Sequence, residues 1–110
     1  MKSLTAMLKS VRDTLTPVTE NVFHYARLSD PPFLVWAEDA EDDGFDADNH
    51  KQGQRIHGVA DYYTQTEYDP VVDAVQYAFD SAPNISFNLS AVQYEDDTKL
   101  IHYTWDWWVF

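Results

Sequence analysis

The sequence predicts an α+β fold: a mainly antiparallel sheet of four to five strands with two helices packed on one face. Three observations carry this. Residues 101–110 alternate, with Ile101, Tyr103, Trp105, Trp107 and Val109 on one side and His102, Thr104, Asp106, Trp108 and Phe110 on the other. Such period-two alternation of β-branched and aromatic residues is a strand signature. Two other segments, near 3–15 and 69–82, carry the 3.6-residue spacing of amphipathic helices. The resulting order of helix, strands, helix and closing hairpin is satisfied economically by helices on one face of a single sheet. A chain of 110 residues is long enough for one core and too short for two, so residues 1–110 read as a single domain.

Taking the elements in order, Leu4, Met7, Leu8, Val11 and Leu15 form one apolar stripe, which predicts a helix over 3–15. Thr16-Pro17 ends it, because a residue before proline is pushed out of the α region. Val22–Ala26 reads as a short strand. Asp30-Pro-Pro32 is a turn leading into Phe33–Ala37, a strand with no polar residue. Residues 38–51 read as a loop with seven acids between positions 38 and 48. A β pattern returns over 54–66, with His57, Val59, Asp61 and Tyr63 opposite Ile56, Gly58, Ala60 and Tyr62; neither face is clearly the buried one. Asp69-Pro70 is a helix start, a capping carboxylate followed by proline in the first turn, and Val72, Val75, Phe79 and Ala82 supply the stripe. Ile85, Phe87 and Leu89 begin a strand to about Tyr94. Glu95–Lys99 is a polar turn, and the terminal strand completes a hairpin.

Composition narrows the function. With 45 % apolar and 15 % aromatic residues the chain has the means to fold. It has no cysteine, which removes disulfides and thiolate metal sites. Met1–Ser10 does not read as a signal peptide and no run reaches a transmembrane length, so the expectation is a soluble, intracellular protein without membrane partners. Nineteen acids against seven bases give a formal charge of -12. Such a surface repels phosphate backbones and argues against specific nucleic-acid binding.

Catalytic constellations are not visible. The sequence has no Gly-x-Ser-x-Gly elbow, no cysteine nucleophile and no glycine-rich phosphate loop. Four histidines, at 24, 50, 57 and 102, form no metal-binding helix pair. Asp39-Ala-Glu41-Asp-Asp43-Gly44 starts like a calcium loop. It fails at position eight (Asp46) and at position twelve, where His50 replaces the bidentate glutamate. Weak, nonspecific divalent binding by the crowded carboxylates Asp39, Glu41, Asp42, Asp43, Asp46 and Asp48 is a better expectation than a calcium loop, and a mobile, solvated loop is the favoured reading. The expectation is a non-enzyme with no cofactor, no catalytic residues and no dedicated metal site. Adjacent Trp107 and Trp108 must face opposite sides of a strand, so burying both requires cover on both faces of the sheet. One cover would be the helices and the other a neighbouring subunit, which makes Trp105, Trp107, Trp108 and Phe110 the candidate interface.

The run Gly58–Tyr63, the helix Tyr68–Asp80 and the hairpin Tyr94–Trp108, together with the element order, resemble the tail-terminator or tail-completion proteins of long-tailed bacteriophages, also known as minor capsid proteins in prophages. The resemblance covers most of the chain and is architectural. It implies a homo-oligomeric ring, hexameric in the usual case, that caps the tail tube and meets the head-side connector while DNA passes through its centre. It also implies assembly in the host cytoplasm and a final place in the virion neck. On that reading the acidic loop 38–50 lines the channel or touches the tube protein. The rivals are another head-tail connector or adaptor component, a monomeric divalent-cation-binding module using the loop, and, more remotely, a small hydrolase.

Overall fold

A computed structural model describes residues 2–42, 45–47 and 50–110 of the protein. Helix α1 (Leu4–Leu15) starts where Ser3 accepts a hydrogen bond from the Ala6 N–H through its side chain, and buries Met7, Val11 and Leu15. Strand β1 (Val22–His24) follows, then β2 (Phe33–Glu41), β3 (Phe45–Ala47), β4 (His50–Gly53) and β5 (Ile56–Thr64). Helix α2 (Pro70–Ser81) then leads into the hairpin of β6 (Ile85–Glu95) and β7 (Leu100–Val109).

Five strands form one sheet in the order β1-β2-β5-β7-β6, and β3 pairs with β4. All neighbours in the sheet are antiparallel except β1, which runs parallel to β2. The α+β class, the strand count and the two helices therefore stand as the sequence predicts. The helices pack together and cover one face: Met7, Val11 and Leu15 of α1 and Val75 and Phe79 of α2 meet Leu34, Trp36, Ile56, Ala60, Tyr62, Trp105, Trp107 and Val109 from the strands.

Register explains the ambiguous strand. β5 buries Ile56, Gly58, Ala60, Tyr62 and Thr64 and turns His57, Val59, Asp61 and Tyr63 to the helix-free face. Gly58 stands opposite Trp107 and Ala60 opposite Trp105, so each small residue makes room for a large one. The start of α2 is tied to this strand. The Asp69 carboxylate accepts from the Val71 N–H at 2.9 Å and from the Tyr62 and Thr64 hydroxyls, both at 2.7 Å. Burial opposes its charge, but these donors hold its pKa below the usual carboxylate value.

The acidic segment departs from the expected loop. β2 runs on to Glu41, the Asp42 N–H donates to the Arg55 carbonyl at 2.7 Å, and β3 and β4 continue the antiparallel ladder with Phe45 opposite Gly53 and Ala47 opposite His50. Strands β3 and β4 thus form a two-stranded ribbon beyond the β2–β5 pair. A bulge between Glu38 and Ala40 inserts Asp39 as the extra residue. The molecule is elongated, 53 × 24 × 24 Å.

Candidate assembly surface

The helix-free face of the sheet brings together the two segments that the sequence singles out, the acidic stretch and the terminal strand. At the ribbon end, the Trp108 indole N–H donates to Asp42 Oδ2 at 2.7 Å. The Arg55 guanidinium lies 5.7 Å from the Trp108 ring centroid and 3.7 Å from the same Asp42 carboxylate. One cation thus bridges an aromatic face and an acid.

Beside this trio stands His57. Its Nδ1 is 2.7 Å from Asp39 Oδ1 and its Nε2 is 2.9 Å from Asp106 Oδ1. Two carboxylates at the two ring nitrogens are both satisfied only when both nitrogens carry protons. Burial disfavours the imidazolium, but the hydrogen bonds and charges of Asp39 and Asp106 outweigh it, so the His57 pKa is raised. A raised folded-state pKa contributes stability that is complete below the unfolded value near 6.5 and lost as pH rises through the folded value. Urea-midpoint measurements at pH 6 and pH 8 are therefore expected to show wild type losing stability at the higher pH, with His57→Gln flattening that decline. An unchanged decline in the variant would assign it to other groups.

Further along the same face, His102 Nε2 is 2.7 Å from Asp61 Oδ1, and the Thr104 hydroxyl donates to that oxygen at 2.8 Å. The His102 ring stacks on Tyr63 with centroids 4.0 Å apart, and Tyr63 stacks on Phe33. The face is a strip of half-buried aromatic rings beside histidine–carboxylate pairs.

Not all of the expected interface residues lie here. Trp105 and Trp107 are 0 % exposed and form the core under the helices. They cannot present a surface to a neighbour, which corrects their assignment as interface residues. Their alternation partners are the ones on the outer face, and Trp108 with the exposed Phe110 remains available. Of the acidic set, Asp39 and Asp42 join the cluster and Glu41 is in β2. Asp46 is in β3, and Asp43 and Asp48 lie outside the described residues.

Sequence reading missed the union of Asp39, Arg55, His57 and Asp106. The signal was present in part, since Asp106 and Trp108 share a face of β7, but pairing them with His57 needs the β5–β7 register. A groove of about 460 Å³ between α1 and the β1–β2 edge was also missed, walled by Leu8, Val22 and Trp36 with Lys9 and Arg12 at its rim. There His24 stacks between Tyr25 and Trp36 and contacts Glu38 at 2.6 Å; the Tyr25 hydroxyl donates to the same carboxylate. Among the described residues no group of three His, Cys, Asp or Glu side chains is placed to hold a metal ion.

No protein-family model matches the sequence, and no curated protein matches it. A search of solved structures finds the same fold in a chain of the structure described as "Virion of native gene transfer agent (GTA) particle". The match has a TM-score of 0.59 at 12 % identity and covers 97 % of this chain and 92 % of that one.

Proposed function

We propose that this protein is a non-enzymatic structural component of a phage-like virion, acting at the neck as a tail-completion ring. The observation that carries the reading is the end-to-end fold similarity to a chain of a gene transfer agent particle. It extends over nearly the whole of both chains. The resemblance of the sequence to phage tail-terminator proteins points the same way.

The mechanism is geometric. A ring forms when a heterologous contact repeats under rotation until it closes. Once closed on the tip of a tube, it presents a different surface from the tube subunit and stops further addition. Trp108, with Asp42 and Arg55, is the anchor we assign to that contact, since aromatic and arginine side chains dominate interface energetics. The ribbon of β3 and β4 is the arm that reaches the tube or lines the channel. Its carboxylates would let DNA pass without adhering, because like charges repel the phosphates.

The test is to inactivate the coding sequence in its own genome and image the particles that form. A tail-completion protein leaves unjoined heads and tubes of uncontrolled length. Tubes of normal length beside leaking heads would favour a head-side connector, and normal joined particles would overturn both. Complementation with Asp43, Asp46 and Asp48 all changed to Asn, leaving the Asp42 anchor intact, tests the arm separately. Unimpaired joining by that variant would make the acidic ribbon a bystander.

A further inference from the structure

We infer that β6 is a self-complementary edge through which two copies of this chain pair, joining their sheets across a two-fold axis. β6 is an end strand of the sheet, so its outer backbone groups face no other strand among the described residues. Soluble proteins usually blunt such edges with charges or proline. Here residues 81–94 are the longest stretch of the chain without a charged residue, although the protein carries a net charge of -12. Within it Leu89, Val92 and Tyr94 are 41 %, 53 % and 59 % exposed.

The occupant follows from the bulge. β6 pairs Phe87 with Trp107 and Leu89 with Trp105, then shifts register so that Val92 faces Tyr103 and Tyr94 faces Ile101. Without the shift, odd and even residues would point to opposite sides. With it, Phe87, Leu89, Val92 and Tyr94 share the helix side, while Asn88 and Gln93 share the other. An antiparallel copy centred between Ser90 and Ala91 therefore sets Leu89 against Val92, Phe87 against Tyr94 and Asn88 against Gln93. Each pair matches in chemistry and in side.

The backbone agrees. Trp105 and Tyr103, the partners of Leu89 and Val92, are two residues apart on β7, so Leu89 and Val92 direct their N–H and C=O groups the same way. The bulge interrupts only the central Ser90–Ala91 positions.

Charge selects the same occupant. A basic partner would be drawn to the acidic ribbon, whereas two copies of so acidic a chain approach best along a strip that carries no charge. The contact is isologous and closes at two copies. It is distinct from the ring contact proposed above and does not rest on it.

The chain has no cysteine, which permits a direct test. Residues directly opposite on antiparallel strands have Cα atoms roughly 4.5–5.5 Å apart, within disulfide range. Asn88 and Gln93 on one strand are too far apart to bridge within a chain. The double variant Asn88→Cys with Gln93→Cys is expected to give a covalent dimer on mild oxidation, and each single variant is expected to give little. In sedimentation, wild type is expected to show a two-copy species that strengthens with added salt, as screening relieves the mutual repulsion. Val92→Lys, at an exposed position, is expected to weaken it at least tenfold while circular dichroism stays native. A wild type that is monomeric at low and high salt would overturn the proposal, as would a double-cysteine variant no better cross-linked than the singles. A Val92→Lys protein that associates like wild type would overturn it too.

Discussion

Gly58→Ala is expected to destabilise the protein by about 3 kcal/mol or more, a large share of the roughly 5–15 kcal/mol that holds a small domain together. The reason is close approach, not backbone freedom, since no glycine among the described residues has positive φ. A Cβ on Gly58 would come within 2.1 Å of Trp107 Cζ2 and 2.4 Å of the Ala37 carbonyl oxygen. Neither neighbour has room to yield. Trp107 is fully buried under the helices, and Ala37 is held in the β2–β5 ladder opposite Val59. Urea denaturation, or loss of soluble protein on expression, reads the effect. Combining Gly58→Ala with Trp107→Leu should recover part of the loss by removing the ring, and only part, because the carbonyl contact remains. A Gly58→Ala protein as stable as wild type would mean that the β5–β7 register differs from the one described.

The same pair shows what the sequence could and could not disclose. The alternation in β7 identified both of its faces correctly, because aromatic and β-branched residues on one side and His102, Thr104 and Asp106 on the other leave one period to fit. The helices were legible for a similar reason: their stripes are clean, and Asp69, read as a cap, acts as one, while Ser3, counted within the first helix, proves to be its cap. β5 was not, since glycine and alanine at 58 and 60 look unlike core until Trp107 and Trp105 are placed over them. Small residues answer large ones across strands, and that pairing is absent from one-dimensional order.

The acidic segment misled in the opposite direction. Its charge suggested a loop, whereas ladder pairs such as Phe45 with Gly53 carry it as a ribbon. Charged side chains do not prevent a two-stranded ladder from forming, so polarity alone does not decide between loop and strand. The candidate surface was half legible. Trp108 and the acids were singled out, but His57 and Arg55 enter only through contacts between residues far apart in sequence.

Trp107→Ala and Trp108→Ala, one residue apart, are expected to fail in different ways. Trp107 fills the space between Gly58, Trp36 and the helices, and truncating it should cost about 3–5 kcal/mol through lost burial and an unfilled cavity. Its indole N–H is buried without a hydrogen-bond partner, so no polar contact adds to that cost and Trp107→Phe should be much milder. Trp108 is half-buried on the opposite face, where its truncation removes the hydrogen bond to Asp42 and the Arg55 contact, about 1–2 kcal/mol in all. The Trp108→Ala subunit should therefore unfold cooperatively near the wild-type midpoint yet fail to restore joined particles in the complementation assay. At a true hot spot the lost interface energy is about 2 kcal/mol or more, and a repeated contact in a ring multiplies it around the circle. If Trp108→Ala restores particles as wild type does, the helix-free face is not the ring contact. If it fails to fold, the tryptophan is core on both sides of the strand.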